Sequence, residues 1–334
     1  MPMTRRSLSF TALFALAAAL WAGSSVNAQK LTLDALLSGV LHLKTTIDPD
    51  GRTAENLGRE REGTGIVIDN NGLILTIGYL MVEAQSAEVS TNDGHTVPAA
   101  VVGYDYESGF GLLRTITPLA ARPLTFGKSA DLKEQDRALA VSFGGADSIT
   151  PVRVISKRTF AGSWEYLLDE AIFTAPRHPQ WSGAALINRE GQLVGVGSLI
   201  LRDADGKDDG VAGNMFVPID RLPPILDALV ANGRVAGPGR PWLGINTAEI
   251  HGHLVISSVT PDGPGQKAGL HRGDIILGVD GKLPDTLADF YREIWAEGGA
   301  GTAIPLDVLQ GGEKRRIDVK SMNRLDHLKL KSTY

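Results

Sequence analysis

The sequence predicts a mainly β protein with two folded domains, and three observations support this. Short apolar or β-branched runs alternate with turn residues over 64–218, as at the turns 70–72 and 92–94, which is typical of β-barrels and sandwiches. A helical pattern over 219–232 breaks this texture, and a Gly-Pro linker over 237–241 follows it. The length of 334 residues is sufficient for two domains.

Composition excludes several classes of function. The 33 basic and 38 acidic side chains give a net charge of -5, which argues against a nucleic-acid partner. The chain has no cysteine, so disulfides, thiolate metal sites and a cysteine nucleophile are excluded. Neither the spacing of histidines and carboxylates nor that of glycines fits a metal or phosphate site. We therefore expect no cofactor and no metal.

The N-terminus is predicted to be a secretory signal peptide, residues 1–28. Arg5 and Arg6 precede the apolar stretch 10–22, and Ala28 ends a small-x-Ala pattern. Because the apolar stretch is shorter than the about 20 residues of a membrane-spanning helix, cleavage is favoured over an uncleaved membrane anchor. One arginine pair is a weak twin-arginine signal, so the general secretory route is favoured. We expect a periplasmic or secreted protein without a stable membrane span.

Motifs spread over about 60–323 resemble, in their order, those of HtrA-type (Deg) serine proteases. The motif residues are Gly63-Thr-Gly-Ile-Val-Ile-Asp, Gly72-Leu-Ile-Leu-Thr76, Asp93-Gly94, Val101-Val-Gly-Tyr-Asp105, Ser182-Gly183, Gly191-Gln-Leu-Val-Gly195, Met215-Phe-Val-Pro218, Arg240-Pro-Trp-Leu-Gly-Ile245 and Lys267-Ala-Gly-Leu270. The resemblance implies an exported protein with a chymotrypsin/trypsin-like double β-barrel followed by a single PDZ domain.

The same resemblance divides the chain into segments. Residues 29–62 form an N-terminal segment with a short helix, an edge strand and a polar loop. A trypsin-like domain follows over 63–235 and ends in a helix, and the PDZ domain covers 236–323 with a helix over 286–297. Residues 324–334 are predicted to be a loose tail, since they show no strand pattern.

The catalytic positions of the family are only partly kept. Ser182 stands at the nucleophile position, but Tyr79 stands at the position of the histidine base and Gly109 at that of the aspartate. Gln180 replaces the oxyanion-loop glycine, and Trp181 replaces a small polar residue. A tyrosine titrates near pH 10 and is a poor proton acceptor at neutral pH. Loss of a triad member costs about 10⁴ to 10⁶ in rate, so the sequence predicts a pseudoprotease with Ser182 as a relic nucleophile.

An alternative is an active serine endopeptidase or hydrolase that uses Ser182 with a substitute base. His178 lies four positions before Ser182 on the same predicted loop and is the candidate for that base. The other interpretation of His178 is a solvated loop histidine.

The PDZ motif keeps the residues that the family uses to bind peptides. Trp242, Leu243, Gly244 and Ile245 match the loop that receives a peptide C-terminus, and Phe290 on the helix either lines the apolar pocket or fills the core. The predicted partners are therefore polypeptide C-termini or unfolded proteins, in envelope protein quality control. Active HtrA relatives or a homo-oligomer such as a trimer are further partners that the resemblance implies, and a purely structural role is a third hypothesis.

Overall fold

A computed structural model describes residues 33–207 and 210–330 of the chain. The predicted signal peptide, residues 1–28, lies outside the described residues, as do 29–32 and 331–334. Among the helices of the described ranges, none has both the length and the apolar character that crossing a bilayer requires.

Six antiparallel strands close the first barrel in the order β1-β2-β3-β6-β5-β4. They are β1 Val40–Ile47, β2 Glu60–Val67, β3 Leu73–Ile77, β4 Ala84–Ser90, β5 Thr96–Tyr104 and β6 Phe110–Thr115. β1 pairs with both β2 and β4, and this closes the sheet. The short helices α1 Leu33–Ser38 and α2 Ala54–Leu57 lie on either side of β1 in the chain.

A second six-stranded barrel follows in the order β10-β11-β12-β9-β8-β7. Its strands are β7 Arg137–Val141, β8 Ile149–Gly162, β9 Tyr166–Ala175, β10 Ala185–Ile187, β11 Leu193–Leu201 and β12 Gly213–Pro218. The long strands β8 and β9 form a hairpin whose turn is residues 163–165. Helix α3 Pro223–Asn232 then ends at Gly233, whose φ of 72° provides the left-handed stop. The predicted double barrel and its closing helix are confirmed.

The PDZ-like unit is a five-stranded antiparallel sheet in chain order with two helices. Its elements are β13 Ile245–Ile250, β14 His253–Val259, α4 Pro264–Lys267, β15 Ile275–Val279, α5 Leu287–Ala296, β16 Ala303–Gln310 and β17 Glu313–Lys320. β13 is an edge strand of this sheet. An edge strand leaves backbone groups available to pair with a further segment.

Helix α5 forms because its first turn is capped and one face is apolar. Thr286 Oγ1 accepts a hydrogen bond from Asp289 N at 3.1 Å, the usual cap for the first free N–H groups. Phe290, Tyr291 and Ile294 recur at helical spacing and are fully buried. The helix predicted over 286–297 is confirmed to within one residue at each end.

The first barrel begins earlier than the predicted boundary at 63. β1 and the first residues of β2 lie in the segment 29–62, which the prediction places outside the trypsin-like domain. The polar loop predicted at the end of this segment is thus partly strand. The barrel requires β1 because it is the strand that joins β2 to β4. Glu60 and Glu62 of β2 are exposed to solvent, and these charged residues give the start of the strand the composition of a loop in the sequence.

The prediction of a loose tail is wrong for residues 324–330. The short helix α6 Arg324–His327 begins there. The Arg324 guanidinium lies 4.0 Å from the centre of the Tyr106 ring, and the His327 ring lies 4.8 Å from that of Trp242. These stacking contacts hold a segment that has no strand or long helical pattern of its own.

Candidate functional site

Ser182 lies in the turn before β10, where the two barrels meet. Its carbonyl accepts a hydrogen bond from Thr64 N of β2 at 2.8 Å, which fixes the turn against the first barrel. Gly183 follows with a φ of 75°, and a Cβ there would lie 2.1 Å from Thr64 O, so only glycine fits. The Ser182 side chain remains partly exposed.

Tyr79 occupies the predicted position of the base and contacts the serine. It lies in the single turn Gly78–Leu80 that follows β3. Its Oη lies 2.9 Å from Ser182 Oγ and 2.9 Å from Ser198 O. Burial raises the pKa of Tyr79 to about 12, and hydrogen bonds with Ser182 and Trp181 offset this only in part. The phenol therefore keeps its proton, for which Ser198 O is an acceptor, and it cannot take up the serine proton as a catalytic base would.

Gly109 has no group that could orient a base, and its surroundings are filled. Its φ is 83°, a conformation that favours glycine. An added Cβ would lie 3.2 Å from Tyr166 Oη. Tyr166 is buried, and its hydroxyl donates to Ser108 O at 2.7 Å. The position predicted for the aspartate is thus next to a tyrosine hydroxyl that is already hydrogen-bonded.

Gln180 and Trp181 lie in the loop before the serine, where the family is predicted to have a glycine and a small polar residue. The side-chain oxygen of Gln180 accepts a hydrogen bond from Ser142 Oγ at 2.7 Å. This bond ties the exposed side chain of Gln180 to the residue after β7. Trp181 lines the cavity next to Ser182.

The His178 side chain is hydrogen-bonded to Thr150 and not to Ser182, and it is not a solvated loop residue. Its side chain is 1% exposed, so the interpretation as a solvated histidine is wrong. Its Nδ1 lies 2.8 Å from Thr150 Oγ1, and its backbone exchanges hydrogen bonds with the Asn214 side chain. Burial lowers its pKa. In the described part of the chain, the side-chain hydrogen-bond partner of Ser182 is Tyr79.

An aromatic cavity of about 620 Å³ opens beside Ser182. Besides Tyr79, Ser182 and Gly109, it is lined by aromatic and basic side chains that include Tyr104, Tyr106, Trp164, Tyr166, Trp181, Trp242, Arg324 and His327. The sequence did not single out Arg324, His327 or Trp164 for this cavity. Their only signal is composition, since large aromatic and arginine side chains are frequent in binding sites.

The predicted peptide-binding residues lie together at one end of β13. Gly244 has a φ of 72°, and its neighbours Leu243 and Ile245 are buried. The backbone N–H groups of Leu243 and Ile245 point at one carboxylate, that of Glu165, which they meet at 2.8 and 3.0 Å. Trp242 packs against His327.

Phe290 lies deeper than these residues. It is fully buried in the core of the PDZ-like unit, where it packs against apolar residues of the sheet. Of the two interpretations of Phe290, the structure therefore favours the one in which its ring fills the core.

Within the described residues, no three histidine, aspartate or glutamate side chains are placed to hold a metal ion.

Comparison with known families identifies both units. The trypsin-like peptidase domain family matches residues 63–196, and the PDZ domain family matches residues 241–321.

Curated relatives match over both units. The putative serine protease HhoA of Synechocystis sp. is 28% identical over 287 residues, which cover 78% of this chain and 70% of that protein. A probable periplasmic serine endoprotease DegP-like of Halomonas elongata is 28% identical over 81% of this chain and 58% of its own length. The chloroplastic Protease Do-like 1 of Arabidopsis thaliana is 30% identical over 77% and 62%. The chain thus spans less than two thirds of the length of the latter two.

Solved structures of HtrA-type proteases share the fold. A serine-to-alanine variant of the protease AlgW with a tripeptide has a TM-score of 0.54 at 21% identity, over 88% of this chain and 97% of that one. AlgW with a decapeptide has a TM-score of 0.52 at 21% identity, over 90% and 99%. The chain is therefore a trypsin-like peptidase domain followed by one PDZ domain, and it is homologous to the HtrA/DegP serine proteases.

Proposed function

We propose that this protein is a pseudoprotease, an HtrA homologue that binds polypeptides without cleaving them. The observation that carries this proposal is the hydrogen bond of 2.9 Å between Tyr79 Oη and Ser182 Oγ. A phenol with a pKa of about 12 keeps its proton at neutral pH. Ser182 consequently has no acceptor for the proton that it must lose to attack a carbonyl.

The retained function is peptide binding by the PDZ domain. Backbone N–H groups that converge on a carboxylate, next to an edge strand, are the features that bind a polypeptide C-terminus. Relatives named periplasmic serine endoproteases support a place in the cell envelope, where exported proteins unfold. The partners that we propose are polypeptide C-termini or unfolded segments, in protein quality control, and active HtrA relatives are partners that it would modulate.

We expect Ser182 to be unreactive towards a fluorophosphonate probe. The missing base and orienting carboxylate lower the rate of serine attack by about 10⁴ to 10⁶ relative to an intact triad. The purified protein and its Ser182→Ala variant should therefore show the same background of labelling and the same absence of casein degradation. An active trypsin-like protease, treated in parallel, is the positive control.

Labelling that is lost in Ser182→Ala would contradict the proposal and support the alternative of an active hydrolase. In that case His178→Ala tests the substitute base directly. Loss of labelling in His178→Ala would show that the imidazole leaves Thr150 to reach the serine.

A further inference from the structure

In the turn of the β8–β9 hairpin, the carboxylate of Glu165 binds the backbone of the PDZ loop 242–245. Glu165 Oε2 accepts from Leu243 N at 2.8 Å, and Oε1 accepts from Ile245 N at 3.0 Å. The Glu165 side chain is 2% exposed. A carboxylate that accepts two backbone N–H groups is the arrangement by which such a loop holds a peptide C-terminus.

The backbone of the same turn pairs with the edge of the PDZ sheet. Ser163 O accepts a hydrogen bond from Thr247 N of β13 at 2.9 Å. On the other side, Tyr291 of α5 donates its hydroxyl to Gly162 O at 2.7 Å, and Glu165 N lies 3.2 Å from the same hydroxyl. The turn thus contacts both β13 and α5, the two elements that would flank a peptide bound as the proposed function requires.

An apolar side chain from the hairpin completes the contact. Leu167 of β9 is 5% exposed and packs within the apolar core of the PDZ domain, together with Leu243, Ile245 and Phe290. Burial of this leucine side chain favours the docked turn because it removes apolar surface from water. A carboxylate, a strand-like backbone pairing and an apolar side chain are also the three contacts that a bound peptide C-terminus would make.

We propose that the segment 162–167 is an internal ligand of the PDZ domain, which closes the groove to other polypeptides until one displaces it. The proposal deepens the proposed function and rests on it, because it assigns a regulation to the same peptide-binding site. The competing ligand has the matching chemistry: a free C-terminal carboxylate preceded by an apolar residue.

Two features indicate that displacement is feasible. Glu165 adopts a φ of 58°, which is a strained conformation for a residue other than glycine. Burial of its carboxylate is unfavourable and raises its pKa to about 7, although the hydrogen bonds from Leu243 and Ile245 offset part of that cost. A peptide that supplies the same contacts from solvent can therefore compete with the hairpin.

We expect Glu165→Gln to tighten peptide binding by about tenfold or more. The amide has only one acceptor oxygen, and its NH₂ group faces a backbone N–H donor. The state in which the segment 162–167 closes the groove is therefore weakened, and a larger fraction of the protein is free to bind peptide. The measurement is fluorescence anisotropy of a labelled peptide with an apolar last residue, with its C-terminal amide as the reference. Glu170→Gln, an exposed position on β9, is the matched control and should bind as the wild type does.

We also expect peptide binding to the wild-type protein to tighten as the pH rises from 5 to 8. Glu165 has a pKa of about 7 when docked and an ordinary value of 4.5 when released. The docked state holds the Glu165 proton more tightly than the released state does, so docking of the turn is strongest below pH 4.5. The docking equilibrium weakens as the pH rises through 7, by about tenfold or more between pH 5 and 8. The groups that face Glu165 are Arg324, Tyr106 and Tyr291, none of which titrates here. His327 lies beside Trp242, so Glu165→Gln, which keeps His327, is the control and should lose most of the pH dependence.

Hydrogen exchange separates the internal ligand from the peptide-binding function. Without peptide, the amides of Leu243, Ile245 and Thr247 should be protected in the wild-type protein and less protected in Glu165→Gln. Equal protection together with equal peptide affinity in the two proteins would overturn the internal-ligand proposal while leaving peptide binding in place. Loss of protection in Glu165→Gln without binding of any free C-terminus would support the internal ligand and contradict the proposed function.

Discussion

The double variant Tyr79→His with Gly109→Asp, which places histidine and aspartate at the two predicted triad positions, is expected to leave proteolysis undetectable. The expected rate of casein cleavage lies about 10⁴-fold or more below that of an active HtrA-type protease assayed in parallel. The variant supplies the residue types of a triad, but the surroundings of position 109 and the loop before Ser182 stay as they are in the wild-type protein.

The position of Gly109 gives the first reason. An L-residue at a φ of 83° is strained by about 1–2 kcal/mol. The Cβ of an aspartate would lie 3.2 Å from Tyr166 Oη, whose hydroxyl is already bound to Ser108 O. The strained backbone and this tight contact both oppose the position in which the carboxylate would accept the Nδ1 proton of a histidine at position 79. Without that acceptor the imidazole tautomer is not fixed.

The loop before Ser182 gives the second reason. Gln180 is hydrogen-bonded to Ser142, and Trp181 lines the cavity beside the serine. A displaced oxyanion donor costs about 10² to 10³ in rate even where the triad is intact. Casein cleavage by the double variant within about 100-fold of the active protease would show that the loop already has a working geometry.

The sequence was sufficient to predict the elements with strong local patterns. The capped, amphipathic α5 and the glycine-stopped α3 were expected from periodicity and end signals. The proximity of Tyr79 to Ser182 was expected because the resemblance placed both at positions that contact each other in the family, and the two hydroxyl groups do meet at 2.9 Å.

What could not be predicted depends on contacts between distant segments. In the sequence, Glu165 is an ordinary charged residue of a hairpin turn. Its hydrogen bond with Leu243 N forms only because the PDZ domain packs against that turn. His178 lies between Arg177 and Pro179 on a predicted loop, yet it is buried, and the Asn214 side chain of β12 holds its backbone through reciprocal hydrogen bonds. Arg324 lies in a segment with no periodic pattern, and its position follows from rings contributed by both domains.

Glu83→Ala is expected to be strongly destabilising, with a loss of about 3–5 kcal/mol in the free energy of unfolding, the cost of breaking a buried charge cluster. The Glu83 side chain is 4% exposed, and its carboxylate accepts from Arg52 N, Thr53 N, Thr53 Oγ1 and Lys329 N at 2.6–3.0 Å. Removal of the carboxylate leaves these donors unpaired. It also leaves the buried guanidinium of Arg61 without its nearby counter-charge.

Thermal unfolding measures this effect, with a decrease in Tm on the order of 10 °C. Glu88→Ala, at an exposed position on the neighbouring strand β4, removes the same charge and should change the stability by only about 0.5 kcal/mol.

The stabilising contribution of Glu83 depends on pH. Burial raises the pKa of Glu83, but the hydrogen bonds more than offset this, so its pKa is lowered. Its contribution is therefore present above pH 4.5 and lost as the pH falls further. A decrease in Tm no larger than that of Glu88→Ala would contradict the expectation.

The same substitution should reach the functional site, because this cluster joins the C-terminal segment to the turn of Tyr79. Arg61 Nη1 donates to Tyr79 O at 2.7 Å, and Glu83 binds Lys329 N, just after the residues of the C-terminal segment that line the cavity. Loss of Glu83 frees the segment, and with it Arg324 and its stacking on Tyr106 and Trp242. Faster hydrogen exchange over 324–330 in Glu83→Ala than in Glu88→Ala, at a temperature where both are folded, is the result that we expect.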